Sequence, residues 1–170
     1  MSKLIAGLLA GMVALVPGHA WAALGPHAQD CGGDRPAMLV RVTGLKSRGG
    51  MLRIQSYGGD PARFFDKGSY LERVDLRIPP TGPVEVCMPV KANGVYAVSV
   101  RHDANGNGDS DMGDGAGMSG NPAISLMDVI FRRKPAVQDV AVTVTGMTIV
   151  PVVMNYVHGT SVGPIAGATR

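Results

Sequence analysis

Apolar residues recur at every second position in one short segment after another of this chain. Met38, Val40 and Val42 alternate with Leu39, Arg41 and Thr43, and Leu52 and Ile54 alternate with Arg53 and Gln55. Val74, Leu76 and Ile78 repeat the pattern, then Val84, Val86 and Met88, then Tyr96, Val98 and Val100. Val140, Val142 and Val144 follow, and last Val150, Val152, Met154 and Tyr156. Successive side chains of an extended chain point to opposite faces, so a period of two predicts strands with one buried face. Turn residues lie between them, as in Gly58-Gly-Asp-Pro61, Pro79-Pro-Thr-Gly82 and Lys91-Ala-Asn-Gly94. About seven short strands and no long amphipathic helix predict an all-β fold, an antiparallel β-sandwich of immunoglobulin- or transthyretin-like kind.

Local signals refine this. The first two strands, joined by the turn at residues 44–50, read as a hairpin. Asp60 as N-cap with Pro61 behind it predicts one helical turn, with Phe64 or Phe65 closing one end of the core. Residues 124–131 are apolar without a clear period, and strand and short helix both stay open. Pro151 has no N–H to give a ladder, which places the last strand at an edge or a bulge.

The ends read differently. Met1-Ser-Lys3 is a short basic start, Leu4 to Val16 is apolar or small, and Ala20-Trp21-Ala22 fits the small-x-small rule for signal peptidase. Residues 1–22 are therefore expected to be a signal peptide, too short in its apolar part to span a membrane. Residues 23–36 read as an irregular lead-in, 37–157 as the sandwich domain, and the Gly-, Pro- and Ala-rich 158–170 as a flexible tail. Export, to the periplasm or outside, predicts that the two cysteines, Cys31 and Cys87, pair. The net charge is +3 and the only basic run, Arg132-Arg133-Lys134, has no aromatic residues interleaved. With aromatic residues at 5% of the chain, a base- or sugar-stacking platform is not expected, and neither is nucleic-acid binding.

The chemistry concentrates after the fifth strand. Counting from Asp103, oxygen-bearing side chains fall at loop positions 1, 3, 5, 7, 9 and 12: Asp103, Asn105, Asn107, Asp109, Asp111 and Asp114. Gly108 stands at position 6, where a calcium loop of the EF-hand kind makes its sharp bend. Calcium is a hard cation that takes six to eight oxygens, so this alternation predicts a calcium site. Position 12 carries aspartate instead of the longer glutamate, and a strand enters the loop where an EF-hand has a helix. A further ligand from elsewhere is then expected, and Asp128 is a candidate.

The segment Gly94-Val-Tyr-Ala-Val-Ser-Val-Arg-His-Asp-Ala-Asn-Gly-Asn-Gly108 resembles the family called domain of unknown function 2141, exported bacterial proteins whose strand ends in His-Asp-x-Asn-x-Asn-Gly. The likeness runs from about Ala37 to Tyr156. Where members carry Gly-Phe-Ser-Asn after the loop, this chain has Gly117-Met-Ser-Gly-Asn121, with methionine for phenylalanine and an inserted glycine. The resemblance implies an exported single-domain sandwich and no particular activity.

These signals favour a non-catalytic binding or structural module with a calcium-ordered loop, meeting an extracytoplasmic protein or ligand. One alternative is a periplasmic enzyme using His102 with the loop carboxylates. Neighbouring strand residues face opposite ways, however, so His102 is expected to pack at the rim of the core and donate to a loop carbonyl. Ser119 has no nucleophile-elbow sequence around it. A second alternative is periplasmic metal handling through His102, Met112 and Met118, although the chain has no Met-x-x-Met cluster.

Overall fold

The computed structural model describes residues 23–165; the signal peptide expected at 1–22 lies outside the described residues. Among the described residues ten strands form: β1 Ala37–Thr43, β2 Met51–Gly58, β3 Glu72–Arg77, β4 Val84–Pro89, β5 Gly94–Asp103, β6 Gly115–Met118, β7 Val142–Val144, β8 Met147–Val153, β9 Asn155–His158 and β10 Ser161–Gly163. Two short helices, α1 Leu126–Ile130 and α2 Val137–Val140, join them. The strands make two sheets, one ordered β4-β1-β8 and a larger one ordered β10-β9-β6-β5-β2-β3, with β7 paired to the start of β5. The fold is all-β, two sheets enclosing one core.

The alternation in the sequence is the inside of this sandwich. Met38, Val40, Leu52, Ile54, Val86, Val98, Val150 and Met154 are fully buried in one cluster. A smaller cluster of Tyr57, Phe64, Ala97 and Val140 lies apart from it. Asp60 caps the turn at Pro61–Arg63 by accepting from the Ala62 N–H, which sets Phe64 into that second cluster. The last strand is divided. β8 forms an edge of the small sheet, where Pro151 faces Arg41 of β1 and costs no ladder bond on its open side. After Met154 the chain passes into the large sheet as β9.

Three local expectations are corrected, and one reading left open is decided. β1 and β2 are not a hairpin: β1 pairs with β4 antiparallel and with β8 in parallel, while β2 pairs with β3 and β5. The seven residues between them cross from one layer to the other, a step of about 10 Å that a tight turn cannot make. The segment 124–131 contains a helix, α1, because Ser125 and Asp128 form a reciprocal capping box. Val140 belongs to a helical turn and not to the strand that holds Val142 and Val144. In the segment expected to be a flexible tail, Ser161–Gly163 pairs with β9 as an edge strand.

The small sheet is also buried on its outer face at β1 and β4, though not at β8, where Met147 and Ile149 are exposed. Leu39, Glu85 and Cys87 point away from the core, yet their exposures are 7%, 1% and 0%. The lead-in covers them. Leu24 N–H donates to the Glu85 carbonyl at 2.6 Å, and Cys31, in a 3-10 turn at Ala28–Gly32, is bonded to Cys87. The buried Glu85 carboxylate accepts from Arg41 Nε at 2.7 Å, which compensates a charge that could not otherwise stay there.

Candidate functional site

β5 delivers His102 and Asp103 to opposite faces. His102 turns inward and is fully buried, in edge contact with Tyr156 at 5.9 Å between ring centroids. Its Nε2 lies 2.9 Å from the Gly49 carbonyl and its Nδ1 lies 2.6 Å from the Tyr156 hydroxyl. A carbonyl can only accept, so Nε2 carries the proton and Nδ1 accepts from the Tyr156 O–H. The Tyr156 oxygen in turn accepts from the Lys46 N–H at 3.2 Å. This chain pins the connection between β1 and β2 onto the large sheet. Burial holds His102 below its ordinary pKa; the bond to Gly49 works the other way without reversing it. Neither nitrogen is free, and His102 lines neither of the cavities near the loop. The histidine is thus placed as a structural group. Ser119 is likewise engaged: its hydroxyl donates to the Val140 carbonyl at 2.5 Å and accepts from the Val98 N–H at 3.0 Å.

Asp103 organises the first half of the loop. Its Oδ1 accepts from the Gly106 N–H and its Oδ2 from the Gly108 N–H, each at 2.8 Å, with an Arg101 guanidinium nitrogen 3.3 Å away. Burial would raise its pKa, but the two amides and Arg101 outweigh it and hold the carboxyl below the usual value. Gly108 turns with a φ of 85°, as the sixth position requires. Asn105 and Asn107 close successive turns by accepting from the Asn107 and Asp109 N–H groups. Their amide nitrogens both donate to Asp111 Oδ2, at 2.8 and 3.4 Å. Asp111 Oδ1 accepts from the Gly113 N–H, and these donors hold the carboxyl low.

The six expected donors are therefore not all brought together. Asn105, Asn107 and Asp111 meet; Asp103 turns to backbone amides; Asp109 is exposed and makes no side-chain bond among the described residues. Asp114 Oδ1 accepts from the Ala104 N–H, while Asp114 Oδ2 is buried without a partner among the described residues. Asn105, Asp111 and Asp114 line one cavity of about 250 Å³ with Lys46, whose ammonium donates to the Gly113 carbonyl. Among the described residues, no three acidic, histidine or cysteine groups are gathered closely enough to hold a metal by themselves. Asp128 is no part of this loop: its carboxylate is taken by Ser125 in the helix cap. Sequence reasoning missed Lys46 and Tyr156 as members of the site, since one comes from the β1–β2 connection and the other from β9, and neither carries a local motif.

The family model described as "Uncharacterized protein conserved in bacteria (DUF2141)" matches residues 40–150. No curated protein and no solved structure matches the chain. Among the described residues no helix is long and apolar enough to cross a membrane. The disulfide is compatible with a place outside the cytoplasm.

Proposed function

The chain belongs to the family of bacterial proteins just described, and from that we propose that it is an exported, non-catalytic β-sandwich module whose Asp/Asn loop takes a calcium ion. One observation carries the reading: a carboxylate oxygen, Asp114 Oδ2, is buried without a donor on the wall of a cavity that Asn105 and Asp111 also line. An orphaned buried oxygen is costly, and a hard cation among these groups would satisfy it. To supply the remaining oxygens, Asp103 and Asn107 would have to leave the backbone amides they now accept from, and Asp109 would have to turn in from the surface. Lys46 is the protein's own countercharge there, and calcium would compete with it. The disulfide and the basic-then-apolar start of the chain support periplasmic or secreted placement, where calcium is available and an extracytoplasmic protein or ligand would be the partner. The enzyme reading gains nothing, since both His102 nitrogens are used inside the fold. The metal-handling reading gains nothing either: Met112 and Met118 line a second groove that no histidine or cysteine lines.

Thermal melts in millimolar calcium and in chelator test this. Calcium at 100 times its dissociation constant stabilises a fold by about 2.7 kcal/mol, a rise of several degrees in midpoint. Asp114→Asn should lose most of that rise, and Lys46→Met should keep it. A wild-type midpoint that stays put in calcium would end the cation reading.

A further inference from the structure

The outer face of the large sheet is apolar at β6, β9 and β10, where a sandwich ordinarily meets water with polar side chains. Gly115 and Gly117 are buried, so the alternation turns Ala116 and Met118 outward. Val157 and Val162 continue that surface, and Ile124 and Val129 line it from the segment carrying α1. Sheet and segment leave a groove of about 390 Å³ between them. That volume and an apolar lining with few polar groups are what small-ligand sites show.

The charge at its edge is specific. α1 ends with the Arg132 N–H on the Val129 carbonyl and the Arg133 N–H on the Asp128 carbonyl, a closure that places Arg132 at a φ of 50°. Glycine normally takes that position, so an arginine there is held against its backbone preference. Among the described residues its guanidinium has no hydrogen bond and no ion pair. The nearest carboxylate to Arg133 is that of Asp128, 3.8 Å away and already held by Ser125. Arg101 Nε, also on the lining, is buried without an acceptor among the described residues. Of the other lining acids, Asp111 is occupied by Asn105, Asn107 and Gly113, and Asp114 belongs to the loop cavity.

We propose that this groove binds a small amphipathic acid, with its apolar chain on Ala116, Met118, Val157 and Val162 and its carboxylate on Arg132. The apolar surface alone would take an alcohol or an amine of the same length; the unpaired guanidinium selects the acid. The groove and the loop cavity share Asp111 and Asp114, but the residues that would hold the acid, Ala116, Met118, Val157, Val162 and Arg132, line the groove alone.

Calorimetric titration of the folded protein with dodecanoate, dodecanol and dodecylamine tests the proposal. Dodecanoate should bind at one site and the amine should not. Arg132→Gly suits the backbone at that position, so the fold should hold or gain a little in midpoint while dodecanoate affinity falls by about tenfold or more. Ala116→Phe should fill the floor and abolish binding. Absence of dodecanoate binding overturns the proposal, as does equal binding of all three probes or indifference to both substitutions. Exposed Met127, Ile130 and Phe131 lie beside the basic run, so vesicles of phosphatidylglycerol are a further arm. Vesicle binding that persists in Ala116→Phe, without dodecanoate binding by the wild type, would assign the basic edge to a membrane surface and reject the groove.

Discussion

His102→Ala is expected to lower the unfolding free energy by about 3–5 kcal/mol, read as a fall in the urea midpoint, without a change in what the protein binds. The substitution empties a fully buried volume and leaves the Tyr156 O–H without an acceptor and the Gly49 carbonyl without its His102 donor. Tyr156→Phe removes a single hydroxyl from the same network and should cost less, about 1–2 kcal/mol. Because the two residues share one hydrogen bond, the double variant should lose less than the two single losses together.

The network also titrates with a definite sign. The folded protein keeps His102 below its ordinary 6.5, while the unfolded chain does not. In that window the unfolded state binds more protons, so stability rises with pH. The contribution is complete above about pH 6.5 and is lost as pH falls toward the folded value. Protonation would remove the acceptor at Nδ1 and force the Tyr156 hydroxyl to turn inside a buried site. Stability measured between pH 7 and 5 should therefore slope downward toward acid in the wild type. His102→Gln should flatten that slope, and an unchanged slope would show that another group carries it. The carboxylates held low, Asp103 and Asp111 among them, act in a separate window nearer pH 4.

What could be read in the sequence follows from the geometry of strands. The inward sets named from the period of two end in the core or against it, Val84 through Met88 and Val150 through Tyr156 fully so, Leu76 and Val142 only partly buried, and Val140 reaching the smaller cluster from a helical turn. β6 was invisible for a physical reason. A side chain at Gly115 would place its Cβ 2.3 Å from a Tyr156 ring carbon, and one at Gly117 would meet Val152 at 2.6 Å. The strand lies so close to its neighbours that its inward positions must be bare, so it has no alternation to read. The groove stayed hidden with it, since Ala116 and Met118 face outward from a strand that looked like loop. The Asp/Asn loop was legible in composition and spacing but not in the partners its oxygens choose. Asp103 spends both oxygens on amides three and five residues ahead, and no spacing rule distinguishes that from coordination.

Loss of the Cys31–Cys87 bond should have an effect as large as loss of His102. The two cysteines are 56 residues apart, and closing a loop of that length stabilises the fold by about 4 kcal/mol through the entropy it removes from the unfolded chain. Little else could replace it. The turn at Ala28–Gly32 buries no residue of its own, and the other ties of the lead-in are Leu24 beside Val86 with its backbone bond to Glu85, His27 at 3.5 Å from Glu72, and the Pro36 carbonyl accepting from the Val90 N–H. Once the bond is cut, the segment should lift from β4 and β1, exposing Leu39, Cys87 and the Arg41–Glu85 pair to water. A Cys31→Ser, Cys87→Ser variant should then show a urea midpoint well below that of the oxidised wild type. It should also be cleaved by protease within residues 23–36 before the large sheet opens. The wild type in reductant should approach the same values. Equal midpoints in the oxidised and reduced protein would mean that the lead-in is held by packing alone, and the outer burial of the small sheet would need another cause.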